Sequence, residues 1–130
     1  KNNAKELIEF LDKNKIKIAL ATANSDFLYL PCLKRLGIYE YFSFIIDVNA
    51  CKEGKDSPEI FDKACEYFKV SKNEAIIFED SLQALKTTFN AGYNVVAVYD
   101  KNSTKDIEKT KKYSHLFIND FDEIIKELKY

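Results

Sequence analysis

Three short stretches of the chain carry side chains that could do chemistry, each just after or ahead of a regular element. Glu79 and Asp80 stand side by side at the end of the unbroken apolar run Ala75-Ile76-Ile77-Phe78. Lys55 lies in the polar segment Lys52-Glu53-Gly54-Lys55, just ahead of Ser57-Pro58. Thr22 ends another apolar run and is followed by Ala23, Asn24 and Ser25. Adjacent carboxylates are hard oxygen donors of the kind that suit Mg²⁺. A hydroxyl beside free backbone amides at a helix start makes an anion site. A hydroxyl, an ammonium and a metal-binding carboxylate pair at one point would serve a phosphoryl group. The ammonium and the metal neutralise charge, and the hydroxyl and amides hold the equatorial oxygens.

Each member also has a plainer reading. Glu79 and Asp80 could simply end a strand and place negative charge at a helix N-terminus. Thr22 could be a loop or capping residue, Asn24 and Ser25 ordinary N-caps, and Lys55 one more exposed lysine. The joint pattern is more specific than any of its parts.

The elements that would bring these residues together are legible in order. Ala4, Leu7, Ile8 and Leu11 mark an amphipathic helix ending near Asn14. Ile16 to Ala21 reads as a first strand. Asp26 to Leu36 reads as a helix stopped by Gly37, with Pro31 expected to kink it or to mark its first turn. Phe42 to Asp47 reads as a second strand, and Ser57-Pro58 as the start of a helix that buries Ile60, Phe61, Ala64, Cys65 and Phe68. Ala75 to Phe78 is a strand short enough to be covered on both faces. Ser81 then opens a helix that Gly92 ends. Asn94 to Tyr99 is a further strand, Lys101 to Lys112 a charged exposed helix, His115 to Ile118 a short strand and Phe121 to Leu128 a last amphipathic helix. Strands alternating with helices imply a parallel sheet with helices on both faces, an α/β three-layer fold. In such sheets ligands bind at the carboxyl ends of the strands, where Thr22, Lys55, Glu79 and Asp80 would meet.

Composition narrows the function classes. The 130 residues suit one domain, with 46% hydrophobic and 32% charged residues. A net charge of −1 implies no strong attraction to nucleic acid or to a membrane surface. No apolar run approaches the length that spans a bilayer. Cys32, Cys51 and Cys65 are odd in number and widely spaced, which fits a reducing, cytoplasmic setting better than a disulfide scaffold. His115 has no histidine partner and is expected to be structural. The chain contains no methionine and begins directly in helical sequence, so it reads as a piece of a longer or processed polypeptide.

Ala19-Leu20-Ala21-Thr22-Ala23-Asn24-Ser25, then Lys52 to Phe61, then Ile77-Phe78-Glu79-Asp80-Ser81 with Ala91-Gly92, resemble motifs II, III and IV of the haloacid dehalogenase-like (HAD) hydrolases. The subgroup most similar is that of phosphatases and phosphomutases like β-phosphoglucomutase. The resemblance covers nearly the whole chain. It implies that Thr22, with the Ala23 amide and Asn24 beside it, binds phosphate and that Lys55 binds phosphate and orients the nucleophile. It implies Asp80 as a direct Mg²⁺ ligand and Glu79 as a helper of the metal, directly, through water or from behind the ligands. Asp56 stands where the family usually has proline, and Ala84 where it usually has glycine.

The same resemblance implies a motif I, an apolar strand ending in Asp-x-Asp, whose first aspartate is the nucleophile and whose second is the general acid and base. Nothing ahead of Thr22 supplies it. Asp47-Val48-Asn49 imitates it only superficially, because it follows motif II and Asn49 cannot transfer protons. The chain would then be a HAD-like core, residues 1–130, without motif I and without a cap domain. Its sheet would lack a central strand between those ending at Ala21 and Phe78. That leaves upstream sequence, rearrangement or strand exchange in a homodimer to fill the gap. The function expected is that of a Mg²⁺-dependent phosphatase on a small phosphorylated metabolite, with a phosphomutase or a non-catalytic binding domain of the same fold as alternatives.

Overall fold

The computed structural model describes residues 4–22, 26–47, 57–99 and 107–128. Eleven elements follow one another in the alternation that the sequence predicts. They are α1 (Ala4–Lys13), β1 (Ala19–Thr22), α2 (Asp26–Leu36), β2 (Phe44–Asp47), α3 (Glu59–Phe68), β3 (Ile76–Glu79), α4 (Leu82–Asn90), β4 (Asn94–Val98), α5 (Ile107–Lys112), β5 (Leu116–Ile118) and α6 (Phe121–Leu128). Short 3₁₀ turns at Tyr39–Tyr41 and Lys72–Glu74 lead into β2 and β3.

Among the described residues all strand pairs are parallel. β1 lies beside β2, from Ala19 opposite Phe44 to Thr22 opposite Asp47. β3 lies beside β4, from Ile76 opposite Asn94 to Glu79 opposite Ala97, and β4 beside β5, from Val96 opposite Leu116 to Val98 opposite Ile118. Among the described residues these ladders form two sheets, β2-β1 and β3-β4-β5. The break falls between β1 and β3, where the resemblance leads one to expect a further strand.

Two apolar layers flank β3-β4-β5 because alternate residues of a strand point to opposite faces. Val96, Val98 and Ile118 pack with Leu7 of α1 and with Ile124 and Ile125 of α6, and Leu11, Phe78 and Phe121 close around them. On the other face Ile77, Val95 and Ala97 pack with Leu85 of α4 and Tyr93, and Phe61 and Cys65 of α3 lie against them. Burying each such aliphatic side chain stabilises the fold by roughly 1.5–3 kcal/mol. Cover is unequal along the sheet. Val95 to Val98 are all buried, β1 is only half-buried throughout, and Ile76 is 54% exposed.

The first two strands begin later than their apolar sequence suggests. Lys15 takes a left-handed conformation, φ 61°, and the Ile16 amide donates to the Leu11 carbonyl, so the residues after α1 are spent on leaving the helix. β2 begins at Phe44 and not at the expected Phe42, because Phe42 closes the Tyr39–Tyr41 turn by donating its amide to the Tyr39 carbonyl. Pro31 lies inside α2, and Gly37 ends that helix at φ +73°, a conformation glycine takes at no steric cost. Pro58, expected as the first helical residue of α3, is its N-cap, while the Ser57 hydroxyl accepts from the Glu59 amide at 3.2 Å. Residues 101–106, expected to begin the charged helix, lie outside the described residues.

Candidate active site

Thr22 is the last residue of β1, Glu79 the last of β3, and Asp80 the next residue after it. The two strand ends share one cleft. A cavity of about 180 Å³ is lined by Ala21, Phe78, Glu79, Asp80, Val98 and Phe121. Apolar side chains form its walls, and the carboxylate pair lies at the carboxyl end of β3. Asp47 of β2, the residue of the imitation motif, sits in register beside Thr22. Ala23, Asn24 and Lys55, the other members of the phosphate-binding set, lie outside the described residues, as do Asn49 and Cys51.

The turn from β3 into α4 is organised by Glu79. Its Oε1 accepts the backbone N–H of Asp80 at 2.9 Å and of Ser81 at 3.1 Å. Ser81 stands at the N-cap position, φ −84° and ψ 127°, but its hydroxyl makes no capping bond. The glutamate therefore satisfies amides at the helix start, and the Ser81 carbonyl accepts the first helical bond, from Leu85 at 2.9 Å. Ser81 is the N-cap residue the sequence predicts, and the carboxylate that supplies the acceptor in its place stands two residues ahead of it.

Burial raises the Glu79 carboxyl above its ordinary value. The Ser81 and Asp80 amides oppose that shift, and the adjacent Asp80 carboxyl adds to it. A cation beside the pair would favour the ionised form of Glu79. Their hard oxygens fit a divalent ion of the Mg²⁺ type, although two carboxylates supply only part of a full ligand set. Among the described residues no group of three or more histidine, cysteine or acidic side chains could hold a metal.

Among the described residues, His115 serves the fold. His115 Nδ1 accepts the Val95 amide at 3.1 Å, and its ring lies 5.1 Å from that of Phe89. Cys32 and Cys65 are free thiols, the first exposed and the second against the core beside α3. Among the described residues no helix is long and apolar enough to cross a membrane.

Parallel α/β layers with polar residues at the strand ends define the open-sheet class of proteins that bind ligands at the carboxyl edge of their strands. The sequence matches the haloacid dehalogenase-like hydrolase family over residues 1–98, and the chain belongs to that family. It is 33% identical over 88 residues to a phosphorylated carbohydrates phosphatase from Thermotoga maritima, a match covering 68% of this chain and 41% of that protein. It is 24% identical over 104 residues to a phosphoglycolate phosphatase from Nitrosospira multiformis, covering 79% of this chain and 46% of the other. The crystal structure of a β-phosphoglucomutase from Clostridium difficile superposes with a TM-score of 0.73 at 26% identity, over 94% of this chain and 53% of that one. The chain thus spans about half the length of the curated relatives it matches.

Proposed function

We propose that this chain is the core of a phosphatase acting on small phosphorylated sugars, with Mg²⁺ as its cofactor. One observation carries the reading: the end of the Thr22 strand and the Glu79-Asp80 pair line a common cleft. Thr22, the Ala23 amide, Asn24 and Lys55 would hold the phosphate, and Asp80, with Glu79 behind it, would hold the metal. Oε1 of Glu79 accepts two amides, which suits it to the place behind the ligand. Bound Mg²⁺ would supply charge neutralisation to the phosphoryl oxygens.

The nucleophile in this reading is an aspartate outside residues 1–130. Its carboxylate oxygen bonds to phosphorus as the bond from phosphorus to the sugar oxygen breaks, and the second aspartate implied by the resemblance gives its proton to the leaving sugar. Water then attacks the aspartyl phosphate, releasing phosphate and restoring the carboxylate. Thr22 and Lys55 act throughout by holding the phosphoryl oxygens and offsetting their charge. Residues 1–130 would be one partial core domain, completed by a further strand from the same polypeptide or a second copy, in a reducing cytoplasm. A phosphomutase is the second reading, favoured by the likeness to a β-phosphoglucomutase. It would return the phosphoryl group to a sugar hydroxyl instead of to water.

Hydrolysis of p-nitrophenyl phosphate and of a hexose phosphate by the polypeptide at its natural length is the test. Thr22→Val, Lys55→Ala and Asp80→Asn should each lower kcat by about a hundredfold or more, the scale of losing one group that stabilises transition-state charge. Undiminished turnover by Asp80→Asn with Mg²⁺ absent would remove the reading.

A further inference from the structure

We infer that the outer edge of β2 is an interface between two copies of this protein. The two β2 strands pair antiparallel about a two-fold axis, with Tyr67, Leu36 and Tyr39 as apolar contacts on the flanks. The inference does not rest on the proposed function, because β2 belongs to the sheet that lacks Glu79 and Asp80.

Among the described residues β2 has one strand neighbour, β1. The other edge of Phe44-Ile45-Ile46 presents backbone donors and acceptors, a template for a further strand. Edge strands are commonly blunted by lysine, by proline or by a bulge. None of these interrupts Phe44 to Asp47, whose register with β1 runs unbroken from Ala19 opposite Phe44 to Thr22 opposite Asp47. The strand holds one charged residue, at its last position.

The flanks of this strand are apolar and already ordered. Tyr67 of α3 is 57% exposed, the most of any large apolar side chain among the described residues. Its ring stacks on that of Phe44, with centroids 4.3 Å apart and planes at 14°, and Phe68 meets it edge-on at 5.5 Å. A ring held from two sides loses little freedom when a partner covers it. Phe44 thus points to the α3 face of β2, and alternation puts Ile46 on that face and Ile45 on the other. In the segment leading into β2, Leu36 is 52% and Tyr39 36% exposed. Exposed apolar groups gathered around one strand mark an interaction surface.

A second copy matches this edge. On a two-fold axis the edge meets itself reversed, so outward donors of one strand lie opposite acceptors of the other. Directly opposed residues of antiparallel strands point to the same face, so the axis must pass where a residue faces its own copy. Ile45, the middle of the three apolar residues, takes that place. Phe44 then lies opposite Ile46 of the partner subunit on the α3 face, with the Tyr67 ring stacked on it.

Charge favours the same arrangement. Lys34 and Arg35 lie in the last turn of α2, ahead of the amino end of β2, and Glu40 is the one acid between that helix and the strand. Asp47 closes the strand at its other end. Antiparallel pairing brings the acidic end of each strand to the basic end of the other, twice in one dimer. Parallel addition would set like ends together and leave an edge open to further copies. The strand is only four residues long, so the contact is small and the dimer belongs to the weak, transient class.

The experiment is sedimentation equilibrium of the polypeptide at its natural length between about 5 μM and about 500 μM, with amide hydrogen exchange at both limits. A monomer–dimer equilibrium should appear across that range. The amides of Phe44–Ile46 should exchange about tenfold more slowly at the high concentration, while those of Val95–Val98 stay unchanged. Tyr67→Lys should keep the melting temperature of the dilute protein and raise the dissociation constant about tenfold or more. Leu36→Lys should act in the same direction. A monomer throughout the range overturns the inference, and so does growth beyond a dimer. A dimer whose Phe44–Ile46 amides exchange as in the monomer places the interface elsewhere and overturns it too, as does a dimer that folded Tyr67→Lys leaves intact. Should Tyr67→Lys fail to fold, Leu36→Lys and the concentration dependence of exchange in the native chain decide the matter. Phosphatase activity enters none of these readouts, so loss of that reading leaves the interface standing, and loss of the interface leaves that reading untouched.

Discussion

The hydroxyl of Tyr93 donates a hydrogen bond to Oδ1 of Asp62, joining the residue just ahead of β4 to the first turn of α3. Tyr93 is 1% exposed. Its ring lies edge-on to Phe61 at 6.4 Å, and the Lys72 ammonium sits 5.2 Å from it while donating to the Ala91 carbonyl at 2.7 Å. One side chain thus fastens the helix that follows the Lys55 segment to the sheet that carries Glu79 and Asp80.

Tyr93→Phe should cost about 1 kcal/mol, the net worth of one hydrogen bond, because Asp62 is exposed and rehydrates when its partner is lost. The pH dependence is more diagnostic. Burial, then the Asp62 hydrogen bond, holds the Tyr93 hydroxyl well above the ordinary tyrosine range near 10. A raised folded-state value means the contribution is fully present below the unfolded-state value and is lost as pH climbs past it. Urea titrations should therefore show stability falling above about pH 10. Tyr93→Phe should flatten that fall, and an unchanged slope would refute the assignment.

Leu85 and Ile76 are similar in size and opposite in surroundings, 0% against 54% exposed. Leu85→Ala should cost about 2–5 kcal/mol, since the transfer and cavity terms add in a closed core. Ile76→Thr should stay within about 0.5 kcal/mol in the free chain, as surface changes usually do. A large loss at Ile76 would mean that its edge is covered in solution. Denaturant midpoints at a constant slope measure both.

Two left-handed residues make a paired prediction of opposite sign. Lys69 ends α3 at φ 58°, and Gly92 follows α4 at φ +92°. Lys69→Gly should stabilise by about 0.5–1 kcal/mol by removing the strain of a side chain there. Gly92→Ala should destabilise by about 1–2 kcal/mol through φ alone, because a methyl group at Gly92 meets nothing within 4 Å. Thermal melts of the two variants are sufficient.

The layered fold was legible because apolar runs such as Val95 to Val98, bounded by polar residues and alternating with helical patterns, read as short strands. Helix α6 was legible from strong amphipathic spacing between Phe121 and Leu128. Strand starts were not, since the backbone turns at Lys15 and Tyr39–Tyr41 leave no mark in side-chain periodicity. At the site, Glu79 and Asp80 were legible as an acidic pair at a strand end. Their division of labour was not, because whether a carboxylate faces a cleft or a helix amide depends on rotamer and turn geometry. The bond from Tyr93 to Asp62 spans 31 residues of sequence, and no local pattern announces it.

Glu79 separates support of the turn from metal binding. Its Oε1 satisfies the amides of Asp80 and Ser81, so Glu79→Ala leaves two donors at the start of α4 without that acceptor and should cost about 1–3 kcal/mol. Glu79→Gln keeps an acceptor oxygen and removes the charge. Burial holds the Glu79 carboxyl above its ordinary value, so its favourable contribution is complete below about pH 4.5 and declines as pH rises through the shifted value. The permanently neutral glutamine avoids that decline. Glu79→Gln should therefore match or exceed the native chain in stability at pH 7, and its advantage should vanish below about pH 4. Asp80→Asn, compared with its own melting temperature in chelator, should lack the rise that Mg²⁺ gives the native chain. If Glu79→Gln instead abolishes the Mg²⁺ response while Asp80→Asn keeps it, the two carboxylates have been assigned the wrong way round.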